Sequence, residues 1–74
     1  MHDTLSAAVD QVKVRILPDG RVTREDAALY LGLEPKTLAH WKTEGRGPRS
    51  ILIGRRRFYY LRDLEAFVAT ADAA

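Results

Sequence analysis

The chain has 74 residues, 46% of them hydrophobic and 30% charged, with no cysteine and a formal net charge of +2. A chain of that length is one domain at most and buries only about 60% of the surface that it exposes when unfolded, which leaves little room for an enclosed active site. The absence of cysteine excludes disulfides, thiolate zinc sites and cysteine nucleophiles, and the mix of apolar and charged residues excludes a disordered composition.

Residues 1–20 are expected to form a partly ordered N-terminal extension. Leu5, Ala8, Val9 and Val12 fall at i, i+3, i+4 and i+7, the spacing of one amphipathic helix opened by Asp3 or Thr4. "VKVRIL", Val12 to Leu17, alternates as a strand does, and "PDG" at 18–20 signals a turn. The start "MHDTLSAAVDQV" lacks the basic opening of a secretion signal, and no apolar run approaches the roughly 20 residues of a membrane span. The expectation is a cytoplasmic, nucleoid-associated bacterial protein with no membrane partner.

From Arg21 the signals sharpen. In "RVTREDAALYLG", Thr23 is a helix N-cap, Asp26 follows three residues later as a short-armed capping box, and Val22 and Ala27 stand where a weak hydrophobic staple would form. Glu25 and Asp26 suit the positive end of the helix dipole, and Gly32 suits the left-handed residue that ends a helix. The first helix is therefore expected over Arg24 to Leu31, burying Ala27, Ala28 and Leu31. Pro35 fits the first position of a second helix, and Gly45 marks its stop after "PKTLAHWKTE". At 100° per residue Leu38 and Trp41 share an inner face, while Lys36, Ala39, His40 and Thr43 share the outer one, with Thr37 on the flank. Trp41 is expected in the core.

"GRGPRS" cannot continue that helix. "ILI" and "RFYY" are rich in β-branched and aromatic residues and flank a turn at Gly54, which predicts a hairpin. "LRDLEAFVAT" then sets Leu64, Phe67 and Val68 at helical spacing, a short closing helix, and the tail at 71–74 is expected to fray.

Charge follows this order. Residues 1–34 hold four basic and six acidic side chains, residues 35–62 eight basic and one acidic, and residues 63–74 three acidic alone. Such segregation builds one positive surface on a nearly neutral molecule and draws a polyanion to a defined side, although a basic run can also be no more than a solvated face. Helix, tight turn, helix with a polar outer face, basic hairpin and closing helix make an α+β winged helix-turn-helix over residues 21–70, with three short helices and a β-hairpin wing. In that layout the second helix enters the major groove and the wing lies along the backbone or in a minor groove. Arg55, Arg56 and Arg57 would then sit at the wing tip, where guanidinium groups neutralise phosphates or enter a narrow groove.

"VTREDAALYLGLEPKTLAHWKTEGRGPRSILIGRRRFYYLRDLEAF", Val22 to Phe67, resembles the small MerR-like helix-turn-helix domains of the excisionase and AlpA type. The marks are "AALYLGLEPKTLAHW", a glycine-proline step, "IGRRR" and "DLEAF". The resemblance implies a sequence-specific double-stranded DNA-binding protein of a phage or integrative element. Its first implied role is that of an excisionase, a recombination directionality factor. Such a protein binds repeated sites cooperatively, associates with itself on DNA and shapes it for excision by a tyrosine or serine recombinase acting as integrase. Its second is an AlpA-like transcriptional regulator. Carried over by position, it implies that Lys36, Thr37 and His40 face base edges or phosphates and that Arg55, Arg56 and Arg57 form the wing. Two positions depart from the family's pattern. Glu34 stands where Ser or Thr commonly caps the second helix, and Arg57 stands where an apolar residue is common. The family pattern turns Tyr59 inward, whereas alternation alone turns Phe58 and Tyr60 inward.

Lys42, Arg46 and Arg49 are further candidates for phosphate contacts. His40 has no histidine near it in sequence, since His2 is the other one, so no metal site is expected. No cofactor, small-molecule substrate or enzymatic activity is expected either, because the chain has no glycine-rich phosphate loop and no nucleophile paired with a base. The alternative of another class is an interaction module whose basic face docks an acidic protein. If about five phosphates are contacted, log K should fall against log salt with a slope of about −4.5. A single module buries only about 600–1,000 Å² of protein surface, so useful affinity calls for neighbouring copies or a partner.

Overall fold

The computed structural model describes residues 13–73. They form an α+β unit in the order β1 (Arg21–Thr23), α1 (Arg24–Leu31), α2 (Pro35–Thr43), β2 (Ile51–Ile53), β3 (Arg56–Tyr60) and α3 (Leu61–Ala73). The strands make one antiparallel sheet in the order β1-β3-β2. No helix among the described residues is long and apolar enough to cross a membrane.

The helix ends follow from single residues. The Thr23 hydroxyl accepts a hydrogen bond from the Asp26 amide at 3.2 Å, and Gly32, at φ 73°, closes α1 by donating its amide to the carbonyls of Ala28 and Leu29. A left-handed residue there lets the chain turn within residues 32–34 and enter α2 at Pro35. Glu34 stands at the N-cap of α2 without a side-chain bond to the helix, so its backbone carbonyl alone receives the amides of Thr37 and Leu38.

The strands depend on distant partners, and here the structure corrects the sequence reading. Residues 13–17, the described part of the expected strand Val12 to Leu17, form no strand; β1 lies further on, at Arg21–Thr23. The turn at Pro18 to Gly20 does form, closed by the Gly20 amide on the Leu17 carbonyl at 2.8 Å. β1 exists because Arg21, Val22 and Thr23 align with Tyr60, Tyr59 and Phe58 of β3, a pairing that local alternation cannot reveal. The expected helix around Leu5 to Val12 lies outside the described residues.

Val22, Ala27, Ala28, Leu38, Tyr59 and Leu64 form the core, with Val14, Leu31, Leu33 and Trp41 packed against it. Tyr59 faces Val22 on the core side, as the family pattern implied, while Phe58 on the opposite face is covered in part by the guanidinium groups of Arg21 and Arg56, 4.8 and 5.7 Å from its ring centre. Phe58 is therefore also buried, and Tyr60 is half-buried, so neither simple alternation holds. Arg21 is held in turn by Asp19 at 2.7 Å, and that hydrogen bond keeps the Asp19 carboxyl below its ordinary pKa. In α3, Leu64 is buried and Phe67 half-buried, but Val68 is exposed, because the helix continues through Ala73 with only one side against the core.

Candidate functional site

The nine side chains singled out from the sequence fall into three groups, each built by a different piece of backbone. The first is the outer face of α2. Lys36, Thr37 and His40 line one shallow depression, as their spacing on a helix demands. Lys36 and His40 are exposed and Thr37 half-buried. The inner face of the same helix is fixed by Leu38, at 1% exposure, so the outer face cannot roll away from solvent.

The second group is the approach between α2 and β2, where Lys42, Arg46 and Arg49 line a depression with Gly45, Gly47, Pro48 and Ser50. This segment has no regular structure, yet it is anchored. The Arg46 amide donates to the Trp41 carbonyl at 2.9 Å, and the Arg46 guanidinium lies 5.2 Å from the Trp41 ring centre. Gly47, at φ 92°, packs so closely on the indole that a Cβ there would meet Trp41 side-chain atoms at 3.1 and 3.2 Å. On its other flank Trp41 meets Phe67 of α3 at 5.9 Å between ring centres. Trp41 is thus a half-buried anchor between the approach and the closing helix rather than a fully buried core residue.

The third group is the hairpin. Gly54 and Arg55 form its turn, and Ile51, Leu52 and Ile53 pair with Phe58, Arg57 and Arg56. Arg55 and Arg56 are exposed at the tip. Arg57 differs: it is half-buried and donates from Nη1 to the Ser50 hydroxyl at 3.3 Å. The side-chain period of two puts it on the same side of the sheet as Tyr59, where the family pattern has an apolar residue. The three arginines line a cleft together with Leu52 and with Arg24 and Glu25 from the first turn of α1.

Two residues beyond the sequence candidates take part in these groups. The Glu44 carboxylate lies 2.9 Å from His40 Nε2 and accepts from Arg46 Nε at 2.9 Å, so one carboxylate ties the α2 face to the approach. The i, i+4 spacing of His40 and Glu44 is the signal that marks this pair in the sequence. Arg24 carries no such signal, since tertiary folding alone brings the start of α1 to the hairpin. Among the described residues, Arg24, Arg55, Arg56 and Arg57 form no ion pair with a carboxylate. A scan against protein-family models and a search of curated proteins return no match for this chain.

Proposed function

We propose that this protein is a winged helix-turn-helix that binds double-stranded DNA, with α2 as the recognition helix and the β2–β3 hairpin as the wing. One observation carries the reading: residues 35–62 hold eight cationic side chains against one acidic, two of them on α2, two in the approach that follows it, three on the hairpin and one, Arg62, at the start of α3. A helix of nine residues with Lys36, Thr37 and His40 on its free face has the length and chemistry to read a major groove. Arg55 and Arg56, exposed at a hairpin turn, have the reach and permanent charge for the flanking backbone. Lys42, Arg46 and Arg49 supply phosphate contacts between the two.

Within DNA binding we favour the excisionase role, in which several copies occupy repeated sites and shape DNA for an integrase. One module offers only about 600–1,000 Å² to DNA and gains from a neighbour, which fits occupancy of repeated sites.

The test is fluorescence anisotropy on duplex DNA over a salt series, with footprinting across an attachment region. The reading expects a log–log slope of about −4.5 and protection repeating at about one helical turn. Duplex binding indifferent to ionic strength would overturn it. Charge reversal at Arg55 and Arg56 that leaves duplex binding intact would transfer the surface to an acidic protein partner.

A further inference from the structure

The cleft between the hairpin and the start of α1 is not explained by wing contacts alone. Its walls are Arg24 and Glu25 from α1 and Leu52, Arg55, Arg56 and Arg57 from the hairpin, four arginines with one glutamate. Two of those groups are incomplete. The Nε atoms of Arg24 and Arg57 are shielded from solvent and have no hydrogen-bond partner, while Arg57 is steadied through Nη1 by Ser50. Shielded polar atoms in folded proteins are nearly always paired, and these are the two such side-chain nitrogens without a partner among the described residues. Both belong to charged donors, and both residues contribute to the wall of the same cleft.

We propose that Arg24 and Arg57 form a clasp for a single phosphate-type oxyanion, which on DNA is one backbone phosphodiester. The inference rests on the DNA-binding reading for the source of the phosphate, not for the chemistry of the site. A guanidinium offers Nε–H and one Nη–H along a shared edge, the geometry that matches two oxygens of a phosphate. With Nε unpaired and shielded on both residues, a rotation of each side chain that brings this edge into the cleft would give it the partner it lacks. The cleft, about 200 Å³, falls below the roughly 300–1,000 Å³ of small-molecule sites, so it suits an ionic group and not a whole ligand. Arg24 and Arg57 are half-buried, which separates them from Arg55 and Arg56. The exposed pair is free to follow the duplex, whereas the half-buried pair can fix its register on one phosphate. Glu25 on the rim opposes the anion and sets a limit on affinity.

The first arm of the test uses the full chain and inorganic phosphate, following arginine Nε–Hε resonances by NMR. Arg24 and Arg57 should shift together along one saturable curve, with Arg62, stacked over Tyr60 at 4.3 Å, unmoved. A uniform drift of every arginine, or no shift at Arg24 and Arg57, overturns the clasp. The second arm measures duplex affinity. Arg24→Gln and Arg57→Gln should each weaken binding on the order of tenfold, and the double variant little more than either, because both grip one phosphate. Arg24→Gln combined with Arg49→Gln should multiply instead, since Arg49 lies in another depression. Arg24→Lys keeps the charge and the fold but lacks the fork, so it too should bind more weakly than wild type while melting at the same temperature. If Arg24→Gln binds DNA as wild type does while Arg55→Gln weakens it, the clasp fails and the DNA reading stands. If the phosphate curve saturates at Arg24 and Arg57 but no duplex binds, the oxyanion site stands and the DNA reading fails.

Discussion

Where β1 pairs with β3, Val22 opposes Tyr59 and both are sealed from solvent; where β2 pairs with β3, on the same face of the same sheet, Leu52 opposes Arg57 and Leu52 is 59% exposed. One end of the sheet is covered by helices, and the other is left as a charged ribbon. β3 belongs to both ends, so the change of character occurs within three residues, from Arg57 to Tyr59. On the proposed DNA-binding reading, stability and binding are divided along one strand. Substitutions at the covered end should act on folding, and those at the open end on the ligand.

The largest effect expected is at Tyr59. Truncation of a buried aromatic costs about 3–5 kcal/mol, and a core of this size supplies little more than that in total. Tyr59→Ala should therefore abolish cooperative unfolding in a urea titration followed by circular dichroism. A folded Tyr59→Ala protein with a normal transition would break the division at its stronger end, because Tyr59 would then not be what joins the sheet to the helices.

Which parts of this arrangement are legible in sequence follows the same line. Thr23, Gly32 and Pro35 act on their own neighbours, so the bounds of α1 and the start of α2 can be read directly. The strands cannot. "VKVRIL" alternates more regularly than "RVT", but only "RVT" finds β3, and that choice is made by residues nearly forty positions away. The inward face of β3 was ambiguous for a related reason: Phe58 is covered by arginines, which no hydrophobic period reports. Among the site residues, Lys36, Thr37 and His40 share a face by helical geometry and are legible, whereas Arg24 joins the cleft only through tertiary packing. Val68 has the right spacing for the core but extends past it, since periodicity gives a direction without the length of what covers it.

A substitution at Gly47 tests whether the two regions are truly independent. It lies in the basic approach, yet its φ of 92° and its contact with Trp41 connect it to Phe67 and α3. An added methyl must both hold a left-handed backbone, at about 1–2 kcal/mol, and push against the indole. Gly47→Ala should lower the unfolding midpoint and also weaken duplex binding by displacing Arg46 and Arg49. Loss of stability with unchanged affinity would show that the approach does not need its anchor, and would sharpen the separation further.

At the open end, Leu52→Ala and Arg55→Gln remove exposed side chains and should each change stability by less than about 0.5 kcal/mol. Arg55→Gln should nevertheless weaken duplex binding and reduce the magnitude of the salt slope by up to about 0.9, one phosphate's share. A large stability loss in either variant would mean that the ribbon supports the fold as well as the ligand.

Glu44 gives the smallest change in stability and the most direct test of how the open region is held before DNA arrives. Its carboxylate is shared by His40 and Arg46, all three residues are substantially exposed, and pairs of this kind contribute roughly 0–1 kcal/mol. Glu44→Gln should thus leave the melting temperature almost unchanged. For DNA the consequence is of opposite sign: the substitution removes the one negative charge within residues 35–62 and releases the Arg46 guanidinium and the His40 imidazole from an internal partner. Affinity should rise severalfold at low salt, and the gain should shrink as the screening length falls to about 8 Å near physiological ionic strength. If Glu44→Gln instead weakens binding at every salt concentration, the carboxylate orients His40 and Arg46 for contact rather than competing with the duplex for them, and the helix face and the approach must be treated as one pre-organised unit.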